Sequence, residues 1–333
     1  MTRIHGAWRV RQRAIRIQML AASFPVALLG CDDTRAAPSA VDPLAPAFGM
    51  AGEGAPGVVN VVASGLTLDA PAAIPSGWTT FRFENRSAMT HFFVLERLPA
   101  GKTVADSRAE VIPVFQRAMD LIVDGNAPAG FAEFANLPAW YSQVAMVGGP
   151  GLLAPGHVGV TTLELEPGTY AIECYVKSPG GTFHSAVGMI SGLVVTDDRT
   201  SIGEPKADFE VTVANSGLRI AGAPMPGMRT IAVHFAEQRL HENFVGQDVQ
   251  LVRLSDDTDL AALSAWMDWS APTGLTTPAP AEFLGGSEEM PAGHTAYVTA
   301  RLSPGRYAFV SEVTNPLGKG LLVTFNVPAE VTP

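Results

Sequence analysis

Two cysteines occur in the 333 residues, Cys31 and Cys174, and the second has no obvious partner. Cys31 closes an apolar run, Ile17 to Gly30, that follows Arg3, Arg9, Arg11, Arg13 and Arg16 with no acid among them. That layout predicts a signal peptide over residues 1-30. The run has fourteen residues, short of the about 20 that a helix needs to span hydrocarbon. Cys174 is therefore expected outside the cytoplasm, where a lone thiol is open to oxidation unless it is paired, buried or bound to a metal. Tyr170 stands before it, and His184 and Met189 follow it at ten and fifteen residues. Far upstream, Phe81-Arg-Phe-Glu-Asn85 leads to His91.

The elements that must carry these residues read as strands. Short alternating segments, Val58-Val62, Trp78-Phe83, Phe92-Leu95, Val160-Leu165, Tyr170-Val176 and Gly192-Thr196, lie between turn signals, as in a β-sandwich. The 33 glycines and 26 prolines agree with turns and strands rather than a helical bundle. At one constant offset, Gly148-Gly149, Gly156-His157, Pro167-Gly168 and Tyr170-Ala171 recur as Gly285-Gly286, Gly293-His294, Pro304-Gly305 and Tyr307-Ala308. The expectation is two tandem sandwiches, 58-198 and 207-329, joined by Asp197-Lys206 and preceded by a flexible tether over 31-57. His157 and His294 occupy matching turns and are read as turn features. Between Ala100 and Gly148 the pattern turns helical: Thr103 and Asp106 can cap a helix, and Val111, Phe115, Met119 and Ile122 follow its spacing, with Pro113 bending or delaying it. Phe131, Phe134, Trp140 and Tyr141 in this insertion read as packed core, with a partner surface as the alternative. A shorter helix is expected in the second half, from Leu260 to Trp269.

In order and type the candidate residues resemble the cupredoxins of the plastocyanin type. The matching pieces are Asn85 with His91, then Gly168-Thr-Tyr170-Ala-Ile-Glu-Cys174, then His184-Ser-Ala-Val-Gly-Met189. The resemblance covers the first domain apart from its helical insertion and implies an all-β fold of two tandem cupredoxin-like Greek-key sandwiches. It implies one copper ion in the first domain, held by Cys174, His91 and His184 with Met189 as the axial group. A thiolate, two imidazoles and a thioether suit copper in both oxidation states. The loop from Cys174 to His184 is longer than the family's and is read as a hairpin turning at Pro179-Gly180. A slip of one residue there would reverse the face on which His184 lands. The alternative for Cys174 is an inert buried thiol. Glu173 is expected on the opposite face, toward solvent.

In the second domain Ser311 falls at the place of Cys174, Gln247 at that of His91, and Leu317 or a neighbour at that of Met189, so that domain is expected to be metal-free. Two-domain relatives of this type include copper enzymes that use His-x-His pairs. None occurs here, and His234 with His241 could supply only one wall of a second centre. No nucleophile motif or phosphate loop is present, so enzyme activity has no support in the sequence.

The Leu28-Leu29-Gly30-Cys31 ending resembles the lipobox of bacterial lipoproteins, which implies a lipid on Cys31. Asp32 directly after it implies retention at the periplasmic face of the inner membrane, with the outer membrane as the alternative. Removing the signal takes away five arginines and no acid, leaving a chain more acidic than its formal charge of −10. Nucleic acid is excluded as a partner on that ground. An envelope redox or copper-handling protein is the expected partner. The competing functions are a metal-free protein-binding module and a copper oxidoreductase.

Overall fold

A computed structural model describes residues 57-329; the signal segment, Cys31 and nearly all of the tether lie outside the described residues. The first half runs β1 (Val58–Ser64), β2 (Thr67–Asp69), β3 (Ala73–Asn85), β4 (Val94–Arg97), a helical insertion, β5 (Ala145–Met146), β6 (Val158–Leu165), β7 (Gly168–Glu173) and β8 (Ile190–Arg199). The second runs β9 (Phe209–Ala214), β10 (Gly217–Ala221), β11 (Gly227–Phe235), β12 (Val249–Leu254), β13 (Glu282–Ser287), β14 (Thr295–Leu302), β15 (Gly305–Val310) and β16 (Leu322–Val327). The all-β class and the helical insertion agree with the sequence reading. Alternation drives the strands: in β1 every second residue is buried, and Phe81 and Phe83 of β3 are fully buried while Arg82 between them is not.

Most of the pairing order is shared by the two halves. The first strand runs parallel to the third and antiparallel to the second, while the fourth pairs with the fifth and seventh, and the seventh with the eighth. β3 serves both sheets of its half, pairing with β8 through Ala73–Ser76 and with β6 after Gly77, whose φ of 96° makes the corner. The sheet crosses the halves: β14 pairs antiparallel with β6, Val298 opposite Thr161, so one sheet runs through both.

Two details explain the repeated motifs. Tyr170 donates from its hydroxyl to the Glu166 carbonyl at 2.7 Å, and Tyr307 to the Ser303 carbonyl at 2.9 Å, the same corner closed twice. The glycine pairs mark close backbone approaches: a Cβ on Gly149 would lie 2.1 Å from the Phe93 carbonyl oxygen, and one on Gly286 2.2 Å from that of Val249. Gly149 also has φ 138°, a region costly for any side chain. Gly149→Ala is expected to cost about 3 kcal/mol or more, read as a lowered urea midpoint at unchanged slope.

The insertion begins with the expected cap, Asp106 Oδ2 accepting from the Thr103 N–H at 2.8 Å. One α-turn, α1 (Val104–Asp106), widens into a π-turn, Ser107–Val111, before α2 (Ile112–Val123) and α3 (Ala127–Glu133). Pro113 sits in the first turn of α2, where its missing N–H costs nothing, so the helix restarts there instead of bending at its middle. Of the aromatic residues in the insertion, Phe134 is buried, Trp140 and Tyr141 are half-buried, and Phe131 is exposed. The second half carries α4 (Leu260–Trp266) at the matching place. Among the described residues no helix is long and apolar enough to cross a membrane.

Candidate metal centre

Three segments converge behind β4 and β7. The loop from β3 to β4 carries His91 and is pinned by Asn85, fully buried, whose Nδ2 donates to the carbonyls of Met89 at 2.7 Å and Leu153 at 2.9 Å. Its Oδ1 accepts from the Ser87 N–H and hydroxyl at 3.0 and 2.8 Å. His91 itself exchanges backbone bonds with Leu153. Cys174 follows directly on β7, its N–H donating to the Met189 carbonyl at 3.1 Å.

The third segment is the hairpin. Lys177 pairs antiparallel with Phe183, the Gly181 N–H donates to the Ser178 carbonyl at 3.1 Å, and Gly180 and Gly181 both take positive φ. This register has the His184 N–H on the Val176 carbonyl at 2.9 Å and turns the ring toward Cys174.

Cys174 Sγ lies 3.6 Å from His91 Nδ1 and 3.8 Å from His184 Nδ1, and the two nitrogens are 3.2 Å apart. A point in the plane of these atoms is about 2 Å from each, close to the bond lengths sulfur and imidazole ligands make to a first-row ion. All three residues are fully buried, and so is Met189. Met189 donates its N–H to the His184 carbonyl at 2.9 Å, so the backbone ties it to both the thiol and the second ring.

The electrostatics suit a cation. Burial pushes the Cys174 thiol up to about 12, against donation from the Phe92 and Val176 backbones. Burial holds His91 down at about 4, and burial with the His91 ring beside it holds His184 at about 3. The rings are thus neutral and the sulfur protonated at neutral pH. Any ion entering must displace the thiol proton, after which its charge compensates the thiolate. His91 Nε2 and His184 Nε2 are buried without hydrogen-bond partners.

The other described histidines stand apart. His157 and His294 each turn Nδ1 to the carbonyl two residues back, Pro155 and Ala292, as a shared turn feature would. His234 contacts Thr295 and His241 contacts Arg239, and neither joins a cluster of possible metal ligands among the described residues. Glu173 departs from the sequence reading. It lines a cavity roofed by the insertion and the second half, because alternation along β7 fixes its side of the sheet but not what covers that side.

The corresponding place in the second half is built from oxygen. Ser311 N–H donates to the Leu321 carbonyl at 2.9 Å, so Leu321, rather than the exposed Leu317, stands where Met189 does. The Ser311 hydroxyl donates to Asp248 at 2.7 Å, and Gln250 Nε2 donates to Asp248 and, at 2.9 Å, to Glu288. Asp248, Glu288 and Glu312 form a buried acid cluster that sequence reasoning missed, since its members come from three distant segments. Burial is the main cause that raises all three, Asp248 to about 6. A carboxyl raised in the folded state contributes stability that is whole below its unfolded value and lost as pH rises through the folded one. Going from pH 5 to pH 9 should therefore weaken the fold, Asp248 alone contributing about 1 kcal/mol to the loss. Urea melts across that range check this, and Glu312→Gln should flatten the profile.

No protein-family model and no curated protein matches the chain. Among solved structures it is similar to the dithionite-reduced auracyanin of Roseiflexus castenholzii, at 21% identity over 42% of this chain and 97% of that one, TM-score 0.26. It is similar to auracyanin A of Chloroflexus aurantiacus, described as a "blue" copper protein, at 20% identity over 42% and 98%, TM-score 0.25. The copper nitrite reductase of Nitrosomonas europaea matches at 13% identity over 83% and 94%, TM-score 0.22.

Proposed function

We propose that this chain is a one-electron carrier that binds a single copper ion in its first half, through His91, Cys174 and His184 with Met189 as the axial group. The observation that carries the reading is the triangle of one sulfur and two Nδ1 atoms, 3.2 to 3.8 Å on each side. Copper held there would supply a centre that gains and loses one electron. The protein's part is to keep the donors still: Asn85 fixes the loop of one ring, the hairpin fixes the other, and backbone groups fix the sulfur.

Complete burial of the three ligands favours electron passage over turnover of a substrate at the ion, because no small molecule reaches it without displacing protein. It also disfavours rapid handing-on of the metal, the copper-handling alternative. The surface is nonetheless close, since Ala186, Val187 and Gly188 are exposed just after His184.

The remaining elements of the reading rest on the sequence. Residues 58-198 form the copper-binding domain and 207-329 a second domain without copper. A lipid on Cys31 tethers both through residues 31-57 to the periplasmic face of the inner membrane, and the partner is an envelope redox protein. The test is copper titration of the form lacking residues 1-31, followed by visible absorption and electron exchange with a redox dye. One equivalent bound, coloured and reversibly reduced, is the expected result; no stoichiometric uptake would leave the metal-free module standing instead.

A further inference from the structure

A second site lies on the other face of β7 from the sulfur. It is a partly closed cavity of about 70 Å³, walled by the insertion, by the hairpin and by the second half. Glu96, Glu173 and Glu289 line it, together with the rings of Phe115, Tyr141 and Trp269. Among the described residues no lysine, arginine or histidine lines it. The nearby Lys177 ammonium is already taken by the carbonyls of Trp269, at 2.5 Å, and Ala271, at 2.6 Å.

The carboxyl groups are only partly matched: Glu173 bonds to the Ser185 side chain and Glu289 to the Gly246 backbone, and burial raises all three. Glu96 is only 6% exposed and makes no hydrogen bond or ion pair among the described residues, and Glu289 Oε2 is buried without a partner. Buried acids in proteins are ordinarily paired or bound to cations, because leaving one unmatched costs several kcal/mol. The unmatched oxygens face a space large enough for a guest, and a positively charged one would hold these acids in their ionised forms against the burial that raises them.

Geometry narrows its kind. Among the described residues, clusters whose ligand atoms all lie within 4.8 Å include the Cys174 site and the Asp248 acids, but not Glu96, Glu173 and Glu289. A bare metal ion, which needs several oxygens at about 2.0 to 2.6 Å, would be poorly held. An alkylammonium group reaches separated carboxylates through N–H bonds of ordinary length, and its carbon end packs against aromatic faces. Those faces are present and ordered as a cluster: Phe115 packs on Tyr141 and Trp269 with centroids 5.9 and 5.8 Å apart, and Phe183 lies 5.9 Å from Trp269.

We propose that this cavity binds a small organic amine in its ammonium form, held between Glu96 and Glu289 against the aromatic wall. The site is independent of copper, although Glu173 and Ser185 are immediate neighbours of Cys174 and His184 and would sense a guest.

Isothermal titration of the full chain with methylammonium chloride tests this, with methanol as the neutral control of the same size. Saturable binding of one methylammonium and none of methanol is expected. Glu96→Gln and Glu289→Gln should each weaken it by at least about tenfold, while Glu164→Gln, exposed on β6, should leave it unchanged. Thermal melts of each variant show whether the fold persists. No saturable heat, binding indifferent to both substitutions, or uptake of Mn²⁺ but not methylammonium at these residues would overturn the assignment.

Discussion

Cys174→Ser is expected to weaken copper binding by about 100-fold or more and to abolish any sulfur-to-copper absorption, while leaving the protein folded. The size of the effect follows from the donor set. Only the thiolate brings both negative charge and soft electrons to the triangle, and a hydroxyl at neutral pH brings neither. Tolerance of the substitution is illustrated inside the molecule, because Ser311 holds the matching position with the matching backbone bond. The stability change should accordingly stay within about 2 kcal/mol. Titration, visible spectra and a urea melt of the same preparation separate loss of metal from loss of fold. A variant that keeps its colour would remove the sulfur from the ligand set.

Asn85→Ala should do almost the reverse, damaging the scaffold first and the metal affinity as a consequence. The side chain satisfies the carbonyls of Met89 and Leu153 and the N–H of Ser87, all from a fully buried position. Removing it takes away four hydrogen bonds at once, although the Met89 and Leu153 carbonyls keep the Ser87 hydroxyl and the His91 N–H, for an expected loss of about 2 to 4 kcal/mol. His91 loses the anchor of its loop, so copper affinity should fall by about 10- to 100-fold, the range typical of groups that orient a ligand. Titration and denaturant melts measure the two effects together. Unchanged affinity in a folded variant would show that the pairing of His91 with Leu153 positions the ring by itself.

Much of the candidate metal centre is legible in the sequence, and the reasons are local. Residue type and order single out His91, Cys174 and His184, and the strand assignments rest on an alternation that a half-buried sheet enforces. The face on which His184 lands is not legible, because it depends on where a hairpin closes. Two glycines at positive φ and the Lys177–Phe183 pair settle it in favour of the sulfur. For Glu173 the expectation of solvent fails for a different reason: the cover on that side comes from helices and from the other half, which strand periodicity does not encode. Asp248, Glu288 and Glu312 leave no trace in the sequence beyond the offset that aligns Ser311 with Cys174. An acid is usually a surface residue, and only the meeting of three segments shows that these are not.

The pairing of β14 with β6 means that the polar segment between the halves is not a place to divide the protein. A fragment severed there would bare the backbone amides and carbonyls of Val160, Thr161 and Thr162, which now meet Thr299, Val298 and Tyr297. An open strand margin of that sort is a template to which further copies can pair. The second half can therefore earn its place without chemistry of its own, as the cap that keeps the first half from polymerising.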